Sequence, residues 1–192
     1  MTARNIAYED VVHLIAQSGM SFCPTTGIYV SYHYLLAQDT SLLADPKVKA
    51  LMPEFNQFSA RQGIAQVRAA PDAWEEDFNN AMRMVREVHD KGGWIVAGTD
   101  SPIIPFGFSL HLELQAYSAA GIPNFDVLQT ATINAARVLR REGDLGSIEK
   151  GKLADILFLN ADPAADLKNL MQVDRVMLNG ELISVEELIA GY

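Results

Sequence analysis

An aspartate that directly follows a short apolar run is the residue of this sequence best placed to do chemistry. Trp94-Ile95-Val96-Ala97 reads as a strand, and Gly98-Thr99-Asp100-Ser101-Pro102 follows without a break. Barrels of parallel strands gather their active sites at the carboxyl ends of those strands. A carboxylate there can ligate a metal ion, or move a proton between an attacking water and a leaving group. Taken alone, the same segment equally suits an ordinary loop cap. Ser101 precedes proline and has no base nearby, which argues against a serine nucleophile.

Histidine is the next residue type to consider. The chain has four, His13, His33, His89 and His111, and none forms a His-x-His pair. His13 and His89 fall on amphipathic helical patterns and read as structural. His33 lies in a long excursion after a strand, and His111 starts a helix just beyond the Asp100 loop. These two, with Ser101, are the candidates for substrate contact. The single cysteine, Cys23, cannot form an internal disulfide or a thiolate-rich metal site. Its neighbours Ser21, Phe22 and Pro24 suggest a small residue buried in a strand.

The elements that must position these residues follow from apolar spacing. Tyr8 to Ser18 reads as a helix stopped by Gly19, and Met20 to Pro24 as a buried strand. Thr25-Thr26-Gly27 turns the chain. Helices are expected at Ser31 to Gln38, Pro46 to Met52 and Ser59 to Ala70, with Pro53-Glu54-Phe55 as loop. So long an excursion after a strand suggests a lid. Asp72 to Lys91 is the strongest helix: Phe78, Met82, Val85 and Val88 recur at helical spacing, Asp72 and Glu75 resemble a capping box, and Gly92-Gly93 ends it. Helices follow at Ser109 to Ala120, Asn124 to Gln129 and Thr132 to Arg140, with Asn124 and Thr132 as caps. After Gly143 the texture changes to turns and short strands. Ile156 to Leu159 and Val173 to Leu178 are strands, Asn179-Gly180 is a hairpin turn, and Glu181 to Ile183 returns antiparallel. Ser184 and Glu187 form a second capping box. Strands alternating with helices specify an α/β fold.

The 192 residues suffice for one ordinary domain, and 49% hydrophobic residues predict a packed core. A net charge of −9 argues against non-specific binding to nucleic acid or anionic membranes. No apolar run reaches the ~20 residues of a membrane span. Residues 1–20 lack the basic start and apolar run of a secretory signal.

Five stretches in order carry a family resemblance: Gly98-Thr-Asp-Ser-Pro102, His111-Leu-Glu-Leu-Gln115, Gln129-Thr-Ala-Thr-Ile-Asn-Ala-Ala-Arg137, Leu145-Gly-Ser-Ile-Glu-Lys-Gly-Lys-Leu-Ala-Asp-Ile156 and Val176-Met-Leu-Asn-Gly-Glu181. Together they resemble the amidohydrolase superfamily, in its imidazolonepropionase- and prolidase-like branch, and within it the members with an amino-terminal β-propeller. Residues 7–30 resemble that family's segment around the seventh barrel strand. The resemblance implies the carboxy-terminal part of a (β/α)8 TIM barrel, about its last two strands and their helices, over residues 1–143. Residues 144–192 would supply strands of a small β-sandwich. It also implies hydrolysis of a carbon–nitrogen bond (amide, cyclic amide or dipeptide) in a small-molecule substrate. One or two divalent ions, zinc by expectation, would activate the water. Asp100 matches the aspartate after the eighth strand, which ligates metal and shuttles the proton. Gly146, Gly151 and Lys152 would shape the crossing from barrel to sandwich, and Asp155 an edge or turn.

The family's histidine ligands have no match here, and two barrel strands are far short of the eight in a complete barrel of about 250 residues. The expectation is therefore a piece of a longer polypeptide, completed by an amino-terminal barrel portion in the same or another chain, with homo-oligomerisation as one route. The sequence leaves the location unknown: cytoplasmic or, if an upstream propeller and signal exist, periplasmic or secreted. The competing expectation is a non-catalytic α/β binding module.

Overall fold

A computed structural model describes residues 9–190. By its internal contacts the chain divides into Met1–Ile122 and Pro123–Tyr192, ahead of the change of texture at Gly143.

The first unit opens with helix α1 (Glu9–Gln17) and strand β1 (Ser21–Phe22). Tyr8, the expected first residue of α1, lies outside the described residues. After β1 come a 3₁₀ turn (Thr26–Ile28), α2 (Ser31–Gln38), a second 3₁₀ turn (Thr40–Ala44), α3 (Pro46–Leu51), α4 (Glu54–Ala69) and α5 (Pro71–Asp90). Strand β2 (Trp94–Ile95) leads through the Asp100 loop into α6 (Phe108–Ala119). The two strands pair in parallel, Ser21 opposite Trp94 and Phe22 opposite Ile95. They are shorter than the apolar runs suggested. A strand is defined by its ladder, and among the described residues each has only the other as partner.

Helix α5 organises this unit. Phe78, Met82, Val85 and Val88 are buried, as their spacing requires. Phe78 and Met82 form a cluster with Val30 and Ala116, and Tyr34, Leu35, Trp74, Ala81 and Ala120 pack around it. Two local expectations are corrected. Pro53 does not hold residues 53–55 in a loop: it stands directly before α4, which starts at Glu54. Proline's preset φ suits that position, because a helix start needs no amide from it. Asp72 does not cap α5. Ala70 precedes the helix with no side-chain bond, Pro71 occupies its first turn, and Asp72 stands beside it, where an acidic group favours the helix dipole.

The second unit contains α7 (Asn124–Thr130), α8 (Ile133–Val138), β3 (Ile156–Leu159), a 3₁₀ turn (Leu167–Met171), β4 (Val173–Leu178), β5 (Glu181–Ser184) and α9 (Val185–Ala190). The three strands form an antiparallel sheet in the order β3-β4-β5. Asn179 and Gly180 turn with φ of 51° and 84°, the left-handed pair that matches the twist of a tight hairpin. Asp155 Oδ1 accepts the Asn179 amide at 2.7 Å and Ala154 O accepts that of Gly180 at 3.0 Å, so the segment before β3 holds the hairpin. Gly146 has φ of 88°, and a Cβ there would lie 2.8 Å from both Ala136 Cβ and Ile133 Cα; only glycine permits this approach. Ser184 and Glu187 exchange the two bonds of a capping box. Pro123, not Asn124, stands at the cap position of α7, and Thr132 stands at that of α8 without a side-chain cap bond. Asn124 Nδ2 donates to Ala164 O, and Thr132 Oγ1 donates back to Leu128 O.

No described helix is long and apolar enough to cross a membrane.

Candidate active site

Asp100 stands where its strand ends. Two residues separate β2 from Gly98, and Val96 N still donates to Phe22 O at 2.9 Å, extending the parallel pairing toward the loop. The Asp100 backbone has φ of 57°, and Thr25, after β1, has φ of 50°. For a residue with a side chain this left-handed region costs roughly 1–2 kcal/mol, and such residues collect at sites that the surrounding structure over-determines. The Asp100 side chain is exposed and makes no hydrogen bond or ion pair among the described residues. It is therefore a free carboxylate at the carboxyl end of a parallel strand pair.

Ser101 lies beside it, half-buried, with Oγ 3.0 Å from Thr99 Oγ1 and 3.4 Å from Pro105 O. These bonds are internal to the loop and help to shape it. The Ser101–Pro102 peptide is cis. His111 follows in the first turns of α6. Its Nδ1 is buried without a hydrogen-bond partner, and burial holds its pKa below the ordinary histidine value. His33 on α2 is enclosed by aromatic rings, its centroid 5.0 Å from Tyr32 and 6.4 Å from Trp74, both edge-on. Its Nε2 is likewise buried and unpartnered, with its pKa lowered by burial. Burial therefore favours the neutral form of both rings. His13 lies 3.1 Å from Lys91 and His89 lies 3.3 Å from Asp90, at the surface of α1 and α5. Cys23 is exposed rather than buried, with Sγ 3.4 Å from Thr25 Oγ1. The short ladder explains this correction: Cys23 lies past the end of β1, and among the described residues no third strand covers it.

Three or more His, Cys, Asp or Glu side chains do not come together in any metal-holding group among the described residues. A structural or catalytic zinc needs three or four protein donors. Asp100 alone is one donor, so these residues do not by themselves compose a metal centre.

The residue that sequence reasoning passed over is Glu113. It is 1% exposed on α6. Its Oε1 accepts the Thr26 amide at 2.8 Å. Its Oε2 accepts the Gly27 amide at 2.8 Å and the Thr26 hydroxyl at 2.9 Å. Ser31 Oγ, 2.9 Å from Thr26 Oγ1, extends the network. Burial pushes the Glu113 carboxyl above its usual range, against the pull of the bonds from Thr26 and Gly27. Tyr117, fully buried beside it, is pushed far above the phenol range by burial first and by the carboxylate second. A sequence signal existed: Glu113 is flanked by Leu112 and Leu114, with Ala116 and Tyr117 one turn on, so it lies on an apolar face. A charge in that position must find buried donors.

Comparison with known proteins bears on the family and the fold. Residues 4–183 match the model of the amidohydrolase family. A 5-methylthioadenosine/S-adenosylhomocysteine deaminase from Thermoanaerobacter pseudethanolicus is 31% identical over 52% of this chain and 28% of its own length. An imidazolonepropionase from Alkaliphilus metalliredigens is 38% identical over 30% of the chain and 14% of its own length. Among solved structures, a Xaa-Pro dipeptidase with bound methionine in its active site superposes with a TM-score of 0.62 at 26% identity, over 92% of this chain and 37% of the dipeptidase. The chain thus spans between a seventh and two fifths of the length of these relatives.

Proposed function

Since the chain belongs to the amidohydrolase family, with a fold of the TIM-barrel type, we propose that it forms the carboxy-terminal part of a hydrolase acting on a carbon–nitrogen bond, with Asp100 as its catalytic carboxylate. The observation that carries the reading is the free, exposed Asp100 side chain in the loop after β2, on a residue whose own backbone is held in the left-handed region. A carboxylate there accepts a proton from the attacking water and passes it to the leaving nitrogen, which must be protonated to depart. Cyclic amides and dipeptides are the proposed substrate class. The name of the dipeptidase supports the dipeptide part of that range, and that of the deaminase supports a carbon–nitrogen bond as the target.

Members of the family generally use a divalent metal ion, which lowers the pKa of bound water to about 7 and polarises the scissile carbonyl. Asp100 is proposed as one ligand. The remaining donors are proposed to lie outside these 192 residues, in an amino-terminal barrel portion of the same or another chain. Small coverage of the relatives and, among the described residues, a parallel sheet of two strands support this. The sheet of the second unit is proposed to be one part of a β-sandwich.

The test is Asp100→Asn in the protein that carries the whole barrel, assayed on N-acyl amino acids, Xaa-Pro dipeptides and cyclic amides. Turnover should fall by about 10²–10⁴-fold with the melting temperature unchanged. Full activity in the variant would overturn the reading.

A further inference from the structure

Three contacts join the loop after β1 to the loop after β2. A Cβ at Gly98 would lie 2.3 Å from Cys23 Sγ and 3.4 Å from Thr25 Oγ1, so the glycine lets the two strand ends touch. At Gly27 a Cβ would lie 2.9 Å from Ile104 Cδ1, a side chain of the Asp100 loop that is 5% exposed. The third contact is Glu113, whose carboxylate accepts Thr26 N, Gly27 N and Thr26 Oγ1. Glu113 stands on α6, the helix into which the Asp100 loop runs. Ser109, in the first turn of the same helix, bonds through Oγ to Pro105 O, which also faces Ser101 Oγ.

We propose that Glu113 is a positioning residue for Asp100: its buried carboxylate locks Thr26 and Gly27 against α6, and Gly27 in turn backs Ile104, so the two strand-end loops move as one body. The reasoning rests on what each group can do. A carboxylate accepts but does not donate, and its three bonds come from the 3₁₀ turn after β1. No described cation balances it, so the donors themselves stabilise the charge. Releasing the turn would remove the surface against which Ile104 packs. The Asp100 loop would then lose the support of Gly27 behind Ile104, while its own bonds through Thr99, Ser101 and Ser109 remained. Since Asp100 touches none of these groups directly, the effect reaches it through loop position alone. The proposal rests on the assignment of Asp100 above, but its structural half can be measured without activity.

The variant Glu113→Gln keeps the size and removes the charge. One amide group then faces an N–H donor it cannot pair with. Amide hydrogen exchange on the full chain reads the coupling. The Ile103 amide, bonded to Asp100 O at 3.1 Å, should exchange about tenfold faster, as local opening of the loop becomes easier. Amides of Val85 and Val88 in α5 should keep their rates within about twofold. Acceleration confined to Thr26 and Gly27, with Ile103 unchanged, overturns the proposal. If Glu113→Gln does not fold, Thr26→Val removes only the hydroxyl donor, and Ile103 should still accelerate about threefold; an unchanged rate again overturns it. In the active protein, Glu113→Gln should lower kcat by about ten- to a hundredfold, with KM within about twofold, because a small misplacement of a reacting group has that effect. Glu113→Asp should recover part of the loss. Absence of turnover in the unaltered protein would instead defeat the proposed function, leaving the exchange result to decide the coupling.

Discussion

Asp100 and Glu113 are both carboxylates of the same unit, and their surroundings give them opposite characters. Asp100 is exposed and free, ready to meet water or an ion. Glu113 is sealed inside the unit and spends its lone pairs on backbone amides. Their replacement should separate accordingly. Asp100→Asn should leave thermal stability nearly intact, whereas Glu113→Ala strands two buried amides and should cost about 3 kcal/mol or more in denaturant unfolding. The buried histidines add a pH dependence. Burial lowers the pKa of His33 and His111, so the unfolded chain binds their protons first as pH falls. Their contribution to stability is complete above about pH 6.5 and is lost as pH falls toward the lowered folded value. Glu113 runs the other way. Its raised folded pKa gives stability that is complete below about pH 4.5 and is lost as pH rises through the folded value. Thermal melts from about pH 7 to pH 5 should therefore fall less steeply for His111→Asn than for the unaltered chain; equal slopes would contradict this.

At the scale of elements, α4 and α2 meet where a glycine faces an aromatic ring. A Cβ at Gly63 would lie 1.9 Å from His33 Cδ2. In an isolated helix Gly63→Ala would gain about 1 kcal/mol. Here the ring must move, and overpacking of this kind costs about 1–3 kcal/mol. The clash should prevail, giving a net loss of about 1–2 kcal/mol, and the double variant with His33→Ala should not show the further loss at position 63. Met82→Ala on α5 should cost more, about 2–5 kcal/mol, since Met82 is 4% exposed and belongs to the central cluster. Equilibrium unfolding of both variants checks the order. Helix α5 and the Asn179-Gly180 hairpin were legible in sequence because their signals are local: period, turn chemistry and glycine stops. The start of α4 was misjudged because proline before a helix and proline in a loop look alike without the backbone.

For the whole molecule, the sparse strand pairing carries the argument. Two parallel strands leave unpaired edges, and Phe55, Ile103 and Phe106 are exposed at 76%, 64% and 74%. Exposed apolar groups of this size fit the proposal that further parts of the barrel cover them. The described residues gather no metal-holding group, so stripping divalent ions from the purified 192-residue chain with a chelator should shift its melting temperature by less than about 2 °C. A larger fall would show that the chain holds its own tight metal site and would defeat the proposal that the other ligands lie elsewhere.

By itself the sequence determined the α/β alternation, the amphipathic core face of α5, the hairpin and the position of Asp100 after a strand. Each depends on neighbours within a few residues, so spacing and residue type suffice to find it. Only the tertiary structure decided that Cys23 is exposed, that β1 and β2 pair over two residues each, and that Glu113 closes on Thr26 across 87 positions of chain. Those outcomes depend on which distant segments meet: apolar neighbours mark Glu113 as lying on a buried face, but the donors that tolerate its carboxylate come from a turn far away in the chain.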